Sequence, residues 1–361
     1  MTLRHQVGQL FMVGLNGTEL FQERSVWLKE YRPGGVILFS RNLADAAQIA
    51  TLTNSLQEQT QDGPLFIAVD QEGGRVSRLP SGFTIFPPAA QIGARGSSAL
   101  AYQAATITAT ELRAVGINMN MAPVLDIHTN PLNPVIGDRA FGTTVDRVGE
   151  MGMATIAGFQ DHRMIACGKH FPGHGETVSD SHQELPTVDL PEDRLKQVEC
   201  QPFSQAIHHG LATIMTAHVL YPALDQTMPA TLSSRILTTL LRQEMGFTGL
   251  IISDDLEMNA ITDHWSIGEA AIHSLQAGAD LLLICHHQDR QTEAIEAVQK
   301  AVDQGILSRD RIESSLARLN HLKDQFLAPY QPIEVAMAHK QLRLHSHLSV
   351  LRKIEAPLYQ N

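Results

Sequence analysis

Polar residues capable of chemistry recur directly after short apolar runs. One such group is Asp70-Gln71-Glu72-Gly73-Gly74-Arg75, with Arg78 three residues on. Others are Asp126 with the later Gly137-Asp138-Arg139, Lys169-His170-Phe171-Pro172-Gly173-His174-Gly175, Ala217-His218, and Ser253-Asp254-Asp255-Leu256-Glu257-Met258. Carboxylates, cations and histidines gathered at one concave rim suit the gripping of sugar hydroxyls while an acid and a nucleophile flank a glycosidic bond. Asp180 and His182 stand two apart in the polar stretch Glu176 to His182. That spacing lets a carboxylate bond an imidazole and fix its tautomer. The ring can then serve first as acid and then as base near neutral pH.

Taken singly, each of these residues has a plainer reading. An Asp after a strand is often a helix N-cap, which applies equally to Asp254 and Asp255. Lys169 alone is a surface cation beside turn-forming glycines, and His182 alone an exposed loop histidine. His286-His287 are rim contacts or plain surface, and Cys167 and Met164 are core residues. The chemistry rests on their convergence.

Convergence requires a scaffold, and the apolar runs supply one. Strand-like runs occur at Gln9–Gly14, Gly35–Phe39, Leu65–Val69, Ile117–Met121, Met164–Cys167, Thr213–Thr216, Leu250–Ser253 and Asp280–Ile284. The wider apolar stretch Val7–Leu15 lacks a signal-peptide cleavage site and reads as the first barrel strand. Gly116, Gly210, Gly246 and Gly278 each follow a helix-like segment and precede a strand, as left-handed caps do. Asp45 is placed to cap a helix whose Ile49, Leu52 and Leu56 share one face. Eight buried strands alternating with helices predict an α/β chain folded as a single (β/α)8 TIM-type barrel, whose active site lies at the C-terminal strand ends. A doubly wound dinucleotide fold also alternates, but no Gly-x-Gly-x-x-Gly follows a strand-like run. The barrel is expected over 1–327, with a short C-terminal extension over 328–361 that is helical if ordered.

Composition narrows the function classes. The 361 residues are 43% hydrophobic and 18% charged, a globular balance. A net charge of −11 opposes nucleic acid or an anionic membrane as partner. The three separated cysteines predict reduced packing residues, and no apolar run approaches the length needed to span a bilayer. A cytoplasmic monomer acting on a small molecule is the expectation.

The run Lys169–Gly175, followed by Asp180-Ser181-His182 and Ser253-Asp254-Asp255-Leu256, with Asp70–Arg75 upstream, resembles family 3 glycoside hydrolases over roughly residues 7 to 325. Within them the likeness is to bacterial cytoplasmic β-N-acetylglucosaminidases of peptidoglycan recycling. The resemblance implies Asp254 as nucleophile, a choice over Asp255 that the residues alone leave open. It also implies His182 as acid/base with Asp180 orienting it, and Asp70, Arg78, Arg139, Lys169 and His170 as ligands of the terminal sugar. His174 would shape the loop. Larger members take their acid/base from a second domain, which this chain is expected to replace with its own loop histidine. The implied reaction is retaining and needs no cofactor or metal. Its implied substrate is N-acetylglucosamine joined to 1,6-anhydro-N-acetylmuramic acid, with or without peptide. Thr216 and Glu257 depart from the residues that such relatives carry there.

Three rivals share the same residues. A metal-dependent amidohydrolase would use His170, His174, His182 and His218 with Asp254. A Schiff-base aldolase would use a desolvated Lys169. A sugar-binding protein would keep the pocket without turnover.

Overall fold

Parallel strands closed into a ring and buried on both faces need uninterrupted apolar sequence, and the eight apolar runs provide it. In the computed structural model, which describes residues 1–357, they become β1 (Phe11–Gly14), β2 (Gly35–Leu38), β3 (Phe66–Val69), β4 (Met119–Asn120), β5 (Ile165–Phe171), β6 (Thr213–Thr216), β7 (Leu250–Asp255) and β8 (Leu281–Ile284). They pair in chain order, and β1 closes on β8 with Met12 opposite Leu283. Phe11, Met12, Phe66, Ile67, Ile214 and Ile251 are among the fully buried side chains of the central core.

Several boundaries differ from the sequence reading. Val7 and Gly8 end a short helix, Leu3–Gly8, capped by the Thr2 hydroxyl, so the first strand is shorter than Val7–Leu15. Position 8 needs glycine because the backbone of Tyr31 passes so close that a Cβ would meet its carbonyl oxygen. β4 shrinks to two residues because the chain turns at Ala122-Pro123, where proline offers no N–H to a ladder. β5 and β7 run longer than expected and carry Lys169, His170 and Asp254 inside the strands themselves.

The helical layer follows the capping signals. Asp45 accepts hydrogen bonds from the N–H groups of Ala47 and Gln48, and Ile49, Leu52 and Leu56 of Ala46–Gln57 are buried. Gly116, Gly210, Gly246 and Gly278 all have positive φ. The three cysteines are free and buried.

Beyond Phe326 the chain packs a short 3-10 helix, Val335–Gln341, against the helices Ala46–Gln57 and Ser98–Ala114 and then forms the helix His345–Glu355. Buried Glu111 ties it down, accepting from the Arg343 N–H at 2.8 Å and pairing with His347 Nδ1 at 2.7 Å. The part of the expected extension at 358–361 lies outside the described residues.

Candidate active site

All eight residues singled out by the sequence line one cavity of about 410 Å³ at the C-terminal mouth: Asp70, Arg78, Arg139, Lys169, His170, Asp180, His182 and Asp254. Its floor is an ionic lattice. Lys169 Nζ lies 2.8 Å from Asp70 and 2.7 Å from Glu72, while Arg139 grips both oxygens of Glu72 at 2.8 Å. Burial alone would pull the Lys169 ammonium down, but Asp70 and Glu72 outweigh it and hold the amine above its ordinary value. Burial would likewise raise the Glu72 carboxyl, yet Lys169 and Arg139 keep it well below the usual carboxylate range. These charges therefore remain fixed across ordinary pH and present rigid donors and acceptors to a polyhydroxylated ligand.

Asp126, at the turn after β4, organises the second wall. Its carboxylate accepts from His170 Nδ1 at 2.6 Å and from the His170 and His174 N–H groups at 3.1 and 2.7 Å. The opposite ring nitrogen of His170 faces Arg139 at 3.4 Å and opens on the cavity. Arg78 is delivered by a fold of the chain after β3, where buried Gln71 accepts from the Arg78 N–H at 2.9 Å.

The structure separates the two neighbouring aspartates of β7. Asp255 Oδ1 accepts from the N–H groups of Glu257 and Cys285, and its Oδ2 pairs with His286 at 3.3 Å. Asp254 Oδ1 accepts from the Asp255 N–H at 2.8 Å, and among the described residues its Oδ2 has no hydrogen-bond donor. Burial pushes the Asp254 carboxyl up, but His218, His170, the Asp255 N–H and His182 together hold it below the ordinary range. It is thus a charged carboxylate on a rigid strand with one oxygen open.

Opposite chemistry sits on the loop after β5. Glycine is required at its root: a Cβ on Gly175 would lie 1.7 Å from the Ile127 carbonyl oxygen, and Gly173 has φ +140°. Buried Asn133 donates to the His174 and Gly175 carbonyls at 2.8 and 3.0 Å, and His174 bonds Thr177 and Ser181. His174 does shape this loop. Farther out, Asp180 Oδ1 holds His182 Nδ1 at 2.7 Å, while the imidazole remains 65% exposed and lines the same cavity as Asp254. A ring held at Nδ1 offers Nε2 for proton exchange.

Residues 2–322 match the family described as "Glycosyl hydrolase family 3 N terminal domain". The chain belongs to glycosyl hydrolase family 3.

Curated relatives of this family 3 hydrolase include a "Beta-hexosaminidase" of Methylobacillus flagellatus, 38% identical, with 92% of this chain and 97% of the relative covered. "Beta-hexosaminidase A" of Pseudoalteromonas piscicida is 37% identical over 94% of this chain, which spans 60% of that relative's length. Among solved structures, a family 3 β-N-acetylglucosaminidase from Paenibacillus sp. str. FPU-7 superposes with a TM-score of 0.92 at 43% identity, covering 98% of this chain and 68% of that one. NagZ of Neisseria gonorrhoeae in complex with N-trifluoroacetyl-D-glucosamine gives 0.79 at 32% identity, with 96% of both chains covered.

The site of this family 3 hydrolase also weighs against the rival chemistries. An amine clamped between two carboxylates stays protonated, so Lys169 is a poor Schiff-base nucleophile. The ring nitrogens of His170, His174 and His218 already face protein partners, the last bonding Thr231 and the Asp255 carbonyl. Sequence reasoning assigned no role to Glu72, Asp126, Asp255 or His286. Glu72, two residues beyond Asp70, and Asp126, after an apolar run, carried the same positional signal as their chosen neighbours. The pairing of His286 with Asp255 left none, because 31 positions separate them and only the closure of β8 on β7 joins them.

Proposed function

We propose that this hydrolase removes terminal, non-reducing N-acetylhexosamine from β-linked substrates with retention of configuration. The observation that carries the reading is one cavity shared by an ionised Asp254 with an open oxygen and a His182 imidazole braced by Asp180. Lys169, Asp70, Glu72, Arg139, His170 and Arg78 grip the sugar. Asp254 Oδ2 attacks the anomeric carbon as the glycosidic C–O bond breaks, and the leaving oxygen takes the proton from His182 Nε2. Neutral His182 then removes a proton from water. The hydroxide attacks the same carbon, breaks its bond to Asp254 and returns carboxylate and imidazolium to their starting states. Two inversions give net retention. Asp180 keeps Nδ1 protonated throughout, which leaves Nε2 to exchange the proton.

The β-hexosaminidase names of the relatives support an acetamido sugar. The finer reading is a cytoplasmic monomer that cleaves N-acetylglucosamine from 1,6-anhydro-N-acetylmuramic acid, with or without attached peptide. Among the described residues no helix is long and apolar enough to cross a membrane.

The test is release of p-nitrophenol from the β-N-acetylglucosaminide and the β-glucoside, each with and without chelator. Cleavage confined to the acetamido sugar and indifferent to chelator is expected. No cleavage of either points to a binding protein, and loss in chelator points to a metal hydrolase.

A further inference from the structure

Thr216, Thr231 and His218 form a buried polar chain behind the active cavity, and among the described residues none of the three lines it. β6 delivers Thr216 at its end and His218 two residues later, and the short 3-10 turn Ala230–Leu232 brings Thr231 back against both. The Ala230 N–H closes that return on the Val219 carbonyl at 2.9 Å. Both threonines are fully buried and His218 is 1% exposed, so their polar atoms must find partners within the protein. Thr231 Oγ1 lies 2.7 Å from Thr216 Oγ1, 2.7 Å from His218 Nδ1 and 3.1 Å from the Ala217 carbonyl oxygen. On the other side of the ring, His218 Nε2 lies 2.9 Å from the Asp255 carbonyl oxygen.

The proton positions along this chain follow from what each atom can do. A carbonyl oxygen only accepts, so His218 Nε2 carries the hydrogen that reaches Asp255. Burial lowers the His218 pKa against the opposing pull of Asp254 and Asp255, with His182 a further titratable group nearby. The ring is therefore neutral at neutral pH, and Nδ1 is bare. Bare Nδ1 accepts from the Thr231 hydroxyl. That hydroxyl has one proton, so Thr216 donates to Thr231 and not the reverse. Donation from Thr231 to the Ala217 carbonyl instead would require a hydrogen on Nδ1, and with it a buried imidazolium. Three donors thus point one way, from Thr216 to Thr231 to His218 to Asp255. Residue 255 is held on both sides of its Cα, its carbonyl by His218 and its N–H by Asp254 Oδ1 at 2.8 Å.

We propose that Thr231 is a positioning residue: oriented by Thr216, it fixes His218 in the Nε2–H tautomer, and His218 in turn holds the end of β7 that aims the open oxygen of Asp254. The inference rests on the proposed role of Asp254 as nucleophile. A hydrogen on Nε2 draws the Asp255 carbonyl toward β6, the neighbouring strand, whereas a bare Nε2 repels it. Misplacing a reacting group by about 1 Å costs on the order of 100-fold in rate.

The experiment reads the ring nitrogens of His218 by nitrogen-15 NMR in histidine-labelled protein, with His218→Gln assigning the signals. It also reads kcat and KM on p-nitrophenyl β-N-acetylglucosaminide. Thr231→Val keeps the shape of the side chain and removes the donor, and Thr231→Ser keeps the donor. The wild type and Thr231→Ser should both carry a hydrogen on Nε2 and none on Nδ1. Thr231→Val should lose that single tautomer and about 10- to 100-fold in kcat, with KM within about twofold of the wild type because the ligands of the sugar are untouched. Thr231→Ser should recover most of that loss. Space filling alone predicts the opposite ranking, since valine matches threonine in volume and serine does not. A hydrogen on Nδ1 in the wild type overturns the proposal whether or not the valine variant folds. A valine variant with full kcat, or a serine variant as slow as the valine one, overturns it too. A wild type inert toward the p-nitrophenyl aminosugar overturns the glycosidase reading and the positioning role with it, and the ring nitrogens still decide the order of the protons.

Discussion

Asp180 Oδ1 receives two hydrogen bonds from one residue, the backbone N–H of His182 at 2.9 Å and its ring Nδ1 at 2.7 Å. The double contact sets both where the imidazole sits and which nitrogen it turns outward. Burial would raise the Asp180 carboxyl, but the bonds and charge of His182 hold it below the ordinary range, so it stays an acceptor. Substituting Asp180→Asn allows the amide to donate to Nδ1 and stabilise the wrong tautomer.

His182→Ala and Asp180→Asn should therefore slow substrates with poor leaving groups far more than p-nitrophenyl ones. General acid/base catalysis contributes about 10²- to 10⁴-fold, and a good leaving group needs little of it in the first step. Initial rates across a series of aryl leaving groups check this. A uniform loss across the series would remove His182 from the acid role.

Lys169→Met leaves Asp70 without its cation and Glu72 with Arg139 alone, in surroundings where Glu72 is 5% exposed. Breaking a buried pair by removing one partner costs about 3 to 5 kcal/mol. Urea unfolding should show a loss of that order, together with a raised KM. A variant as stable as the parent would mean that water repairs the lattice.

His174 is buried and neutral. Burial and then the nearby His170 lower its pKa to about 4, well below that of an exposed imidazole. The unfolded chain takes up the proton near pH 6.5 and the folded chain only near 4. This contribution is therefore complete above about 6.5 and is lost as pH falls toward 4, by about 3 kcal/mol in all. His174→Gln should flatten the pH dependence of urea stability between pH 6.5 and 4. An unchanged slope would place the titration elsewhere.

The sequence made the barrel legible because strands buried on both faces must be apolar throughout. Each of the eight runs overlaps one strand for that reason, and the helix-ending glycines follow from their left-handed φ. The ends were harder to read. Lys169 and His170 look like residues after a strand, yet β5 continues through them because Glu72 and Asp126 satisfy their polar atoms from elements far away in sequence. Glu257 was visible as part of the polar group after the seventh run and as a departure, without a role. In the fold it accepts the His287 N–H at 3.2 Å and pairs with the His287 ring at 2.6 Å, fastening the loop after β8. The difference between Asp254 and Asp255 was hidden for the same reason: it depends on which oxygen meets the end of β8.

That difference carries the central claim, and a glycosyl fluoride of N-acetylglucosamine bearing a second ring fluorine tests it most directly. The ring fluorine slows both steps by destabilising the oxocarbenium-like transition states, and the fluoride leaving group speeds formation of the intermediate enough to trap it. Intact-protein mass spectrometry followed by peptide mapping should find one sugar attached to Asp254. An adduct on Asp255, or none on any carboxylate while the enzyme still turns over its substrates, would contradict the account.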